Sequence, residues 1–97
     1  MNKRKKVYER DIQSEALSLL RLLGGKWFKI EKASPDGCPD IIGWYKGRNY
    51  VIEMKVPGEK PRTDQEIAMF DITINAGDQT KVTSATSVQQ VIDFVRD

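Results

Sequence analysis

Only four residues, Lys46-Gly47-Arg48-Asn49, separate two short runs rich in apolar and aromatic side chains, at 40–45 and 50–56. A gap that short joins two strands only as an antiparallel hairpin. A third run, 26–32, alternates around Trp27, Phe28 and Ile30. It is set off by turn chemistry at 33–39, where Ser34-Pro35-Asp36-Gly37 is followed by Pro39. Three consecutive strands with tight turns form an antiparallel meander. Pro57-Gly58 breaks the third strand, and a helix opens at Thr63, with Glu66 three residues on as its capping-box partner. It runs to about Asn75 and stops at Gly77. A fourth strand, 81–84, lies beyond that helix, and a strand–helix–strand crossover sets it parallel to the third.

Helices bracket this sheet. Ile12, Ala16, Leu19, Leu20 and Leu23 follow an i, i+4, i+7, i+8, i+11 spacing, one face of an amphipathic helix over 7–23 ended by Gly24 and Gly25. Ser87, with Gln90 as its partner, caps a last helix. The expected fold is α/β: a small mixed sheet, three antiparallel strands plus one parallel, flanked by helices.

At 97 residues the chain makes one domain, 1–97, with a modest core. No stretch approaches the roughly 20 apolar residues that span a bilayer. No apolar signal core follows the basic start, so the expected location is the cytoplasm. The net charge of +2 permits nucleic-acid binding without demanding it. Lys3, Arg4, Lys5 and Lys6 read as a solvated tail. Lys55, Lys60 and Arg62 crowd a second segment.

The chain has no histidine and one cysteine. His-based general bases, His metal ligands, Ser-His-Asp triads, intrachain disulfides and Cys-based zinc sites are therefore excluded. Cys38 lies in a turn with no histidine to activate it and is read as incidental. Chemistry falls to carboxylates, lysines, hydroxyls or a hard metal held by oxygen.

The hairpin concentrates such groups. Glu53 and Lys55, two apart on a strand, share a face. If the loop is Lys46-Gly47, Asp40 lies opposite Glu53. If it is Gly47-Arg48, Asp40 lies opposite Lys55. Either loop puts Asp40 on their face, and a three-residue loop would flip it. Two carboxylates that close repel unless neutralised. Lys55 does part of this, and a magnesium ion, which takes oxygen ligands, does more. Asp40, Glu53 and the Met54 main-chain carbonyl are its candidate ligands. The metal would polarise a phosphate and lower the pKa of a bound water. Lys55 would orient that water or stabilise the phosphorane charge. Alone, a Glu and a Lys two apart are ordinarily a solvated ion-paired face; the combination with Asp40 gives them weight.

Gly37-Cys38-Pro39-Asp40, the hairpin and Glu53-Met54-Lys55 together resemble the PD-(D/E)XK nuclease signature. With Glu15 on the preceding helix and Gln65 opening the next, the chain resembles the VRR-Nuc family in its compact stand-alone form, from about Glu9 to the last helix. The resemblance implies a restriction-endonuclease-like fold and hydrolysis of DNA phosphodiesters with Mg2+, for which Mn2+ can substitute. It implies Asp40 and Glu53 as metal ligands and Lys55 as the catalytic lysine. Glu15 would help hold the metal through water, and Gln65 would hold Lys55 or the attacking water. Lys60 and Arg62, before a helix N-terminus, are candidate contacts to the DNA backbone.

The helix at 63–75 carries Ile67, Ala68, Met69, Phe70, Ile72 and Ile74, more than one core-facing stripe needs. A two-fold homodimer would cover the excess. Paired sites would suit paired cuts in a branched, four-way DNA junction. The alternatives are a flap, nicking or general duplex nuclease, or a non-enzymatic nucleic-acid-binding module.

Overall fold

The computed structural model of the chain describes residues 9–31 and 38–97. The basic run at 3–6, the first two residues of the first predicted helix and most of the 33–39 turn lie outside those residues. The elements are α1 (Glu9–Leu23), β1 (Lys26–Lys29), β2 (Ile41–Tyr45), β3 (Arg48–Met54), α2 (Thr63–Ala76), β4 (Thr80–Ala85) and α3 (Val88–Arg96). One four-stranded sheet runs in the order β1-β2-β3-β4. The first three strands pair antiparallel, and β3 pairs β4 in parallel. The mixed α/β sandwich expected from the hairpin and crossover is therefore the observed fold.

Tyr45 pairs with Arg48, so the hairpin loop is Lys46-Gly47. Both residues have positive φ, 49° and 78°. Such a turn matches the twist of the flanking strands. It fixes the register Ile41↔Ile52, and one step further along puts Asp40 opposite Glu53, the first of the two alternatives.

The core lies on one side of the sheet. Ala16, Leu17 and Leu20 of α1 and Val91 and Val95 of α3 pack with Trp27, Ile41, Tyr50, Ile52 and Met54. Each fully buried aliphatic side chain contributes about 1.5–3 kcal/mol by leaving water. Gly43 is required here, since a Cβ would run into the Trp27 ring and the Lys26 carbonyl.

Three local expectations change. The α1 stripe centres on Gln13, Ala16, Leu17 and Leu20, while Leu19 is 39% exposed. At α2, Arg62 is the N-cap, and its main-chain N–H donates to Gln65 Oε1 at 2.8 Å; Thr63 and Glu66 do not form the box. At α3, Ser87 Oγ accepts from the Gln90 N–H as expected, but the Gln90 side chain accepts from the Thr86 N–H instead of that of Ser87. No helix among the described residues is long and apolar enough to cross a membrane.

Candidate active site

Even-numbered β3 residues Tyr50, Ile52 and Met54 face the core. Glu53 and Lys55, of opposite parity, face the side on which α2 lies. Lys55 sits one residue past β3, and its main-chain N–H donates to the Ala85 carbonyl at 2.8 Å, which extends the parallel ladder. Both side chains are buried, Glu53 to 1% exposure and Lys55 to 7%. Lys55 Nζ lies 4.0 Å from Glu53 Oε1.

Asp40 closes the hairpin end. Its main-chain N–H donates to the Ile52 carbonyl at 3.1 Å, and its carbonyl accepts from the Ile30 N–H at 2.7 Å. Its side chain reaches across to accept from the Met54 N–H at 2.7 Å. This anchors one oxygen and leaves the other free to face Glu53.

Gln65, 6% exposed, comes in from the first turn of α2. Its Nε2 donates to Glu53 Oε1 at 2.6 Å while its Oε1 accepts from Arg62. The family resemblance implies that this glutamine holds Lys55 or a water; its partner in the structure is the Glu53 carboxylate.

The acid that α1 brings to this cluster is Glu9, not Glu15. Oxygens of Glu9, Asp40 and Glu53 all lie within 4.8 Å of one another. Glu15 is exposed and lies six positions on, about 120° round the helix from Glu9 at 3.6 residues per turn. Gln13, one turn beyond Glu9, shares its face; it is buried and donates to Glu9 Oε1 at 3.3 Å. The available signal was the buried stripe itself: 20, 17, 16 and 13, extended back one turn, arrives at 9. Lys60 is exposed in the loop before α2. Arg62, also exposed, pairs with Asp64 at 3.1 Å.

Charge is poorly balanced. Burial, and then the negative charge of Asp40, push the Glu53 carboxyl up to about 8, against the pull of Lys55. Asp40 is raised by burial, opposed by the Met54 hydrogen bond. Glu9 is raised by burial and by Asp40. Asp40 and Glu53 titrate as a pair. Glu53 Oε2 is a buried oxygen with no hydrogen-bond partner among the described residues. An orphaned oxygen in a nest of carboxylates is costly unless a cation or a proton meets it. The donors are all hard oxygens, which suits magnesium or manganese and not a thiolate- or imidazole-seeking ion.

Glu9 and Glu15 are separable by experiment. If this cluster holds a divalent cation, Glu9→Gln is expected to weaken its affinity about 10- to 100-fold, and Glu15→Gln to leave it within about twofold. Titration calorimetry checks both, and a reversed order would restore Glu15 as the first-helix acid.

No protein-family model and no curated protein matches this sequence. Among solved structures, one described as a "VRR_NUC domain" superposes with a TM-score of 0.75 at 22% identity, over 91% of this chain and 94% of that one. The carboxylate cluster thus sits on a mixed sheet in a chain that has the fold of a VRR_NUC domain over nearly its whole length.

Proposed function

We propose that this chain is a magnesium-dependent endodeoxyribonuclease that cleaves branched DNA, four-way junctions foremost, as a homodimer. The observation that carries the reading is Glu53. It is buried, has an unpartnered oxygen, faces Asp40 and Glu9, and lies beside a buried lysine. A structural ion pair has no use for three carboxylates around one ammonium. The VRR_NUC fold supports the same reading.

In this reading Asp40, Glu53 and Glu9 hold the metal, with the Met54 carbonyl as a further ligand. When bound, the metal supplies Lewis-acid polarisation of the phosphate and a more acidic water. Asp40 keeps its second oxygen directed at the site because the Met54 N–H holds the first. Gln65 fixes the Glu53 carboxylate and limits its rotation. The Lys55 ammonium, set in place by the β4 ladder, stabilises the charge that grows on the non-bridging phosphate oxygens. Lys60 and Arg62 contact the DNA backbone from the loop before α2. The exposed apolar residues of α2 supply the dimer contact, and two sites related by symmetry cut both strands of a junction.

The test is cleavage of a labelled four-way junction, a matched duplex and a flap with magnesium, with EDTA and Lys55→Ala as controls. Paired cuts on the junction, absent from both controls, are expected. Equal cutting of duplex or flap would move the substrate to the general or flap class. No cutting of any substrate with magnesium or manganese would leave a binding module.

A further inference from the structure

The three helices cover the two faces of the sheet unequally. α1 and α3 pack on one face, and α2 packs on the other against β4. Among the described residues, no helix lies over the β1–β2 half of that second face. Alternation from core-facing Trp27 and Ile41 puts Lys26, Phe28, Ile42 and Trp44 on it. Phe28 and Trp44 meet edge to face at 6.1 Å and are 49% and 48% exposed. An apolar groove of about 220 Å³ separates this floor from α2, lined by Ile42, Trp44, Val51, Ile72 and Ala76 among others.

α2 has a second apolar stripe. Gln65, Met69, Ile72 and Ala76 recur on its sheet-facing side. Ile67, Phe70 and Ile74, spaced i, i+3, i+7, lie on the side away from them and are 57%, 64% and 62% exposed. Glu66 and Asp71 flank that outer stripe, and α2 contains no basic residue.

We propose that a second copy of this chain docks here reciprocally, the outer stripe of each α2 seated on the β1–β2 face of the other subunit. The proposal rests on the dimeric reading above and gives it a surface. Two patches, each complementary to the other, make one isologous interface when related by a two-fold axis. Five large, half-exposed apolar side chains per subunit, each offering on the order of 100 Å², approach with their surroundings the roughly 800 Å² per partner of a stable dimer. Charge selects the pairing. α2 against α2 would set acid against acid, and DNA on this stripe would meet the same repulsion. Among the described residues Lys26 is the one cation that alternation places on the β1–β2 outer face, positioned to meet Glu66 or Asp71, while Asp40, at the far end of that face, belongs to the carboxylate cluster.

Sedimentation equilibrium of the full chain tests this, with Phe70→Ser on the helix, Trp44→Ser on the sheet and Lys26→Glu on the exposed rim. The wild type is expected to dimerise in the micromolar range, and Phe70→Ser and Trp44→Ser each to weaken it about 100-fold or more. Lys26→Glu, which touches no core, is expected to weaken it several-fold, as is about 1 M salt. Dimerisation of Trp44→Ser at wild-type strength would overturn the docking in favour of helix on helix. So would tightening by salt, an unchanged Lys26→Glu dimer, or a wild type that stays monomeric at about 100 µM. Magnesium binding, measured on the same samples, separates this from the nuclease reading. A monomer that binds magnesium removes the docking alone, and a dimer that binds none removes the site alone.

Discussion

Glu53→Gln is expected to abolish DNA cleavage while making the metal-free protein harder to unfold. The two effects share a cause. The glutamine keeps an oxygen to accept from Gln65 Nε2, as Glu53 Oε1 does at 2.6 Å. Its new amide N–H can donate toward the Asp40 carboxylate, where the wild type sets acid against acid. The buried, orphaned Oε2 is removed. Above about pH 8, where Glu53 is ionised, relief of this buried unpaired charge is on the order of 1–3 kcal/mol, which in a chain of this size raises Tm by roughly 5–20 °C. On the proposed reading the same change deletes a charge that holds the divalent cation, and cleavage should fall about 10³-fold or more. Thermal unfolding in EDTA at pH 9, where Glu53 is ionised, and single-turnover cleavage of the junction check the two arms. A variant that is both inactive and less stable than the wild type would mean that Glu53 is a structural acid.

On the proposed reading metal and proton compete for the same pocket, and stability should record it. In the unfolded chain Glu53 has its ordinary value of 4.5; in the folded, metal-free protein it holds its proton to about pH 8. The folded state therefore binds the extra proton over that interval. Its contribution is present in full below pH 4.5 and is lost as pH rises through about 8. Asp40 and Glu9 are raised in the same direction and add to the slope. In EDTA, Tm is expected to fall by about 10 °C between pH 6 and 9. Magnesium at a hundredfold its Kd should add about 2.7 kcal/mol at pH 8, release a proton on binding, and flatten the slope. A metal-free Tm that rises across this range, or a slope unchanged in Glu53→Gln, would contradict the assignment.

Much of this was legible in the chain because strand alternation is rigid. Once 40–45 and 50–56 form a hairpin with a two-residue loop, Asp40, Glu53 and Lys55 share a face whatever the helices do. The choice between the two loops was not legible. A turn with positive φ at both positions ordinarily advertises itself by asparagine or glycine at the first, and here Lys46 takes it at 49°. The cap of α2 was missed for a similar reason. Thr63 is a good cap by type, but Gln65 is drawn inward by Glu53, and its amide then meets the Arg62 N–H. Glu15 and Glu9 differ only in helical phase. Leu19 and Leu23 suggested one phase, and the packing against β1 and α3 selected another, with Gln13 buried and Leu19 half out. A polar residue buried inside an apolar stripe is invisible to a count of apolar positions, and it was the residue that marked the face.

The bridge through Gln65 has a direction. Hydrogen bonds run one way along it, from the Arg62 main chain into the amide oxygen and from the amide nitrogen out to Glu53. A planar amide satisfies both ends in only one of its two flips. The other flip sets nitrogen against N–H at the loop and oxygen against carboxylate at the ligand. The orientation of the Glu53 carboxylate is thereby written by the main chain of a loop nine residues away in sequence. A backbone contact that draws that loop outward by the length of a hydrogen bond would be felt first at the buried acid, before any strand had moved.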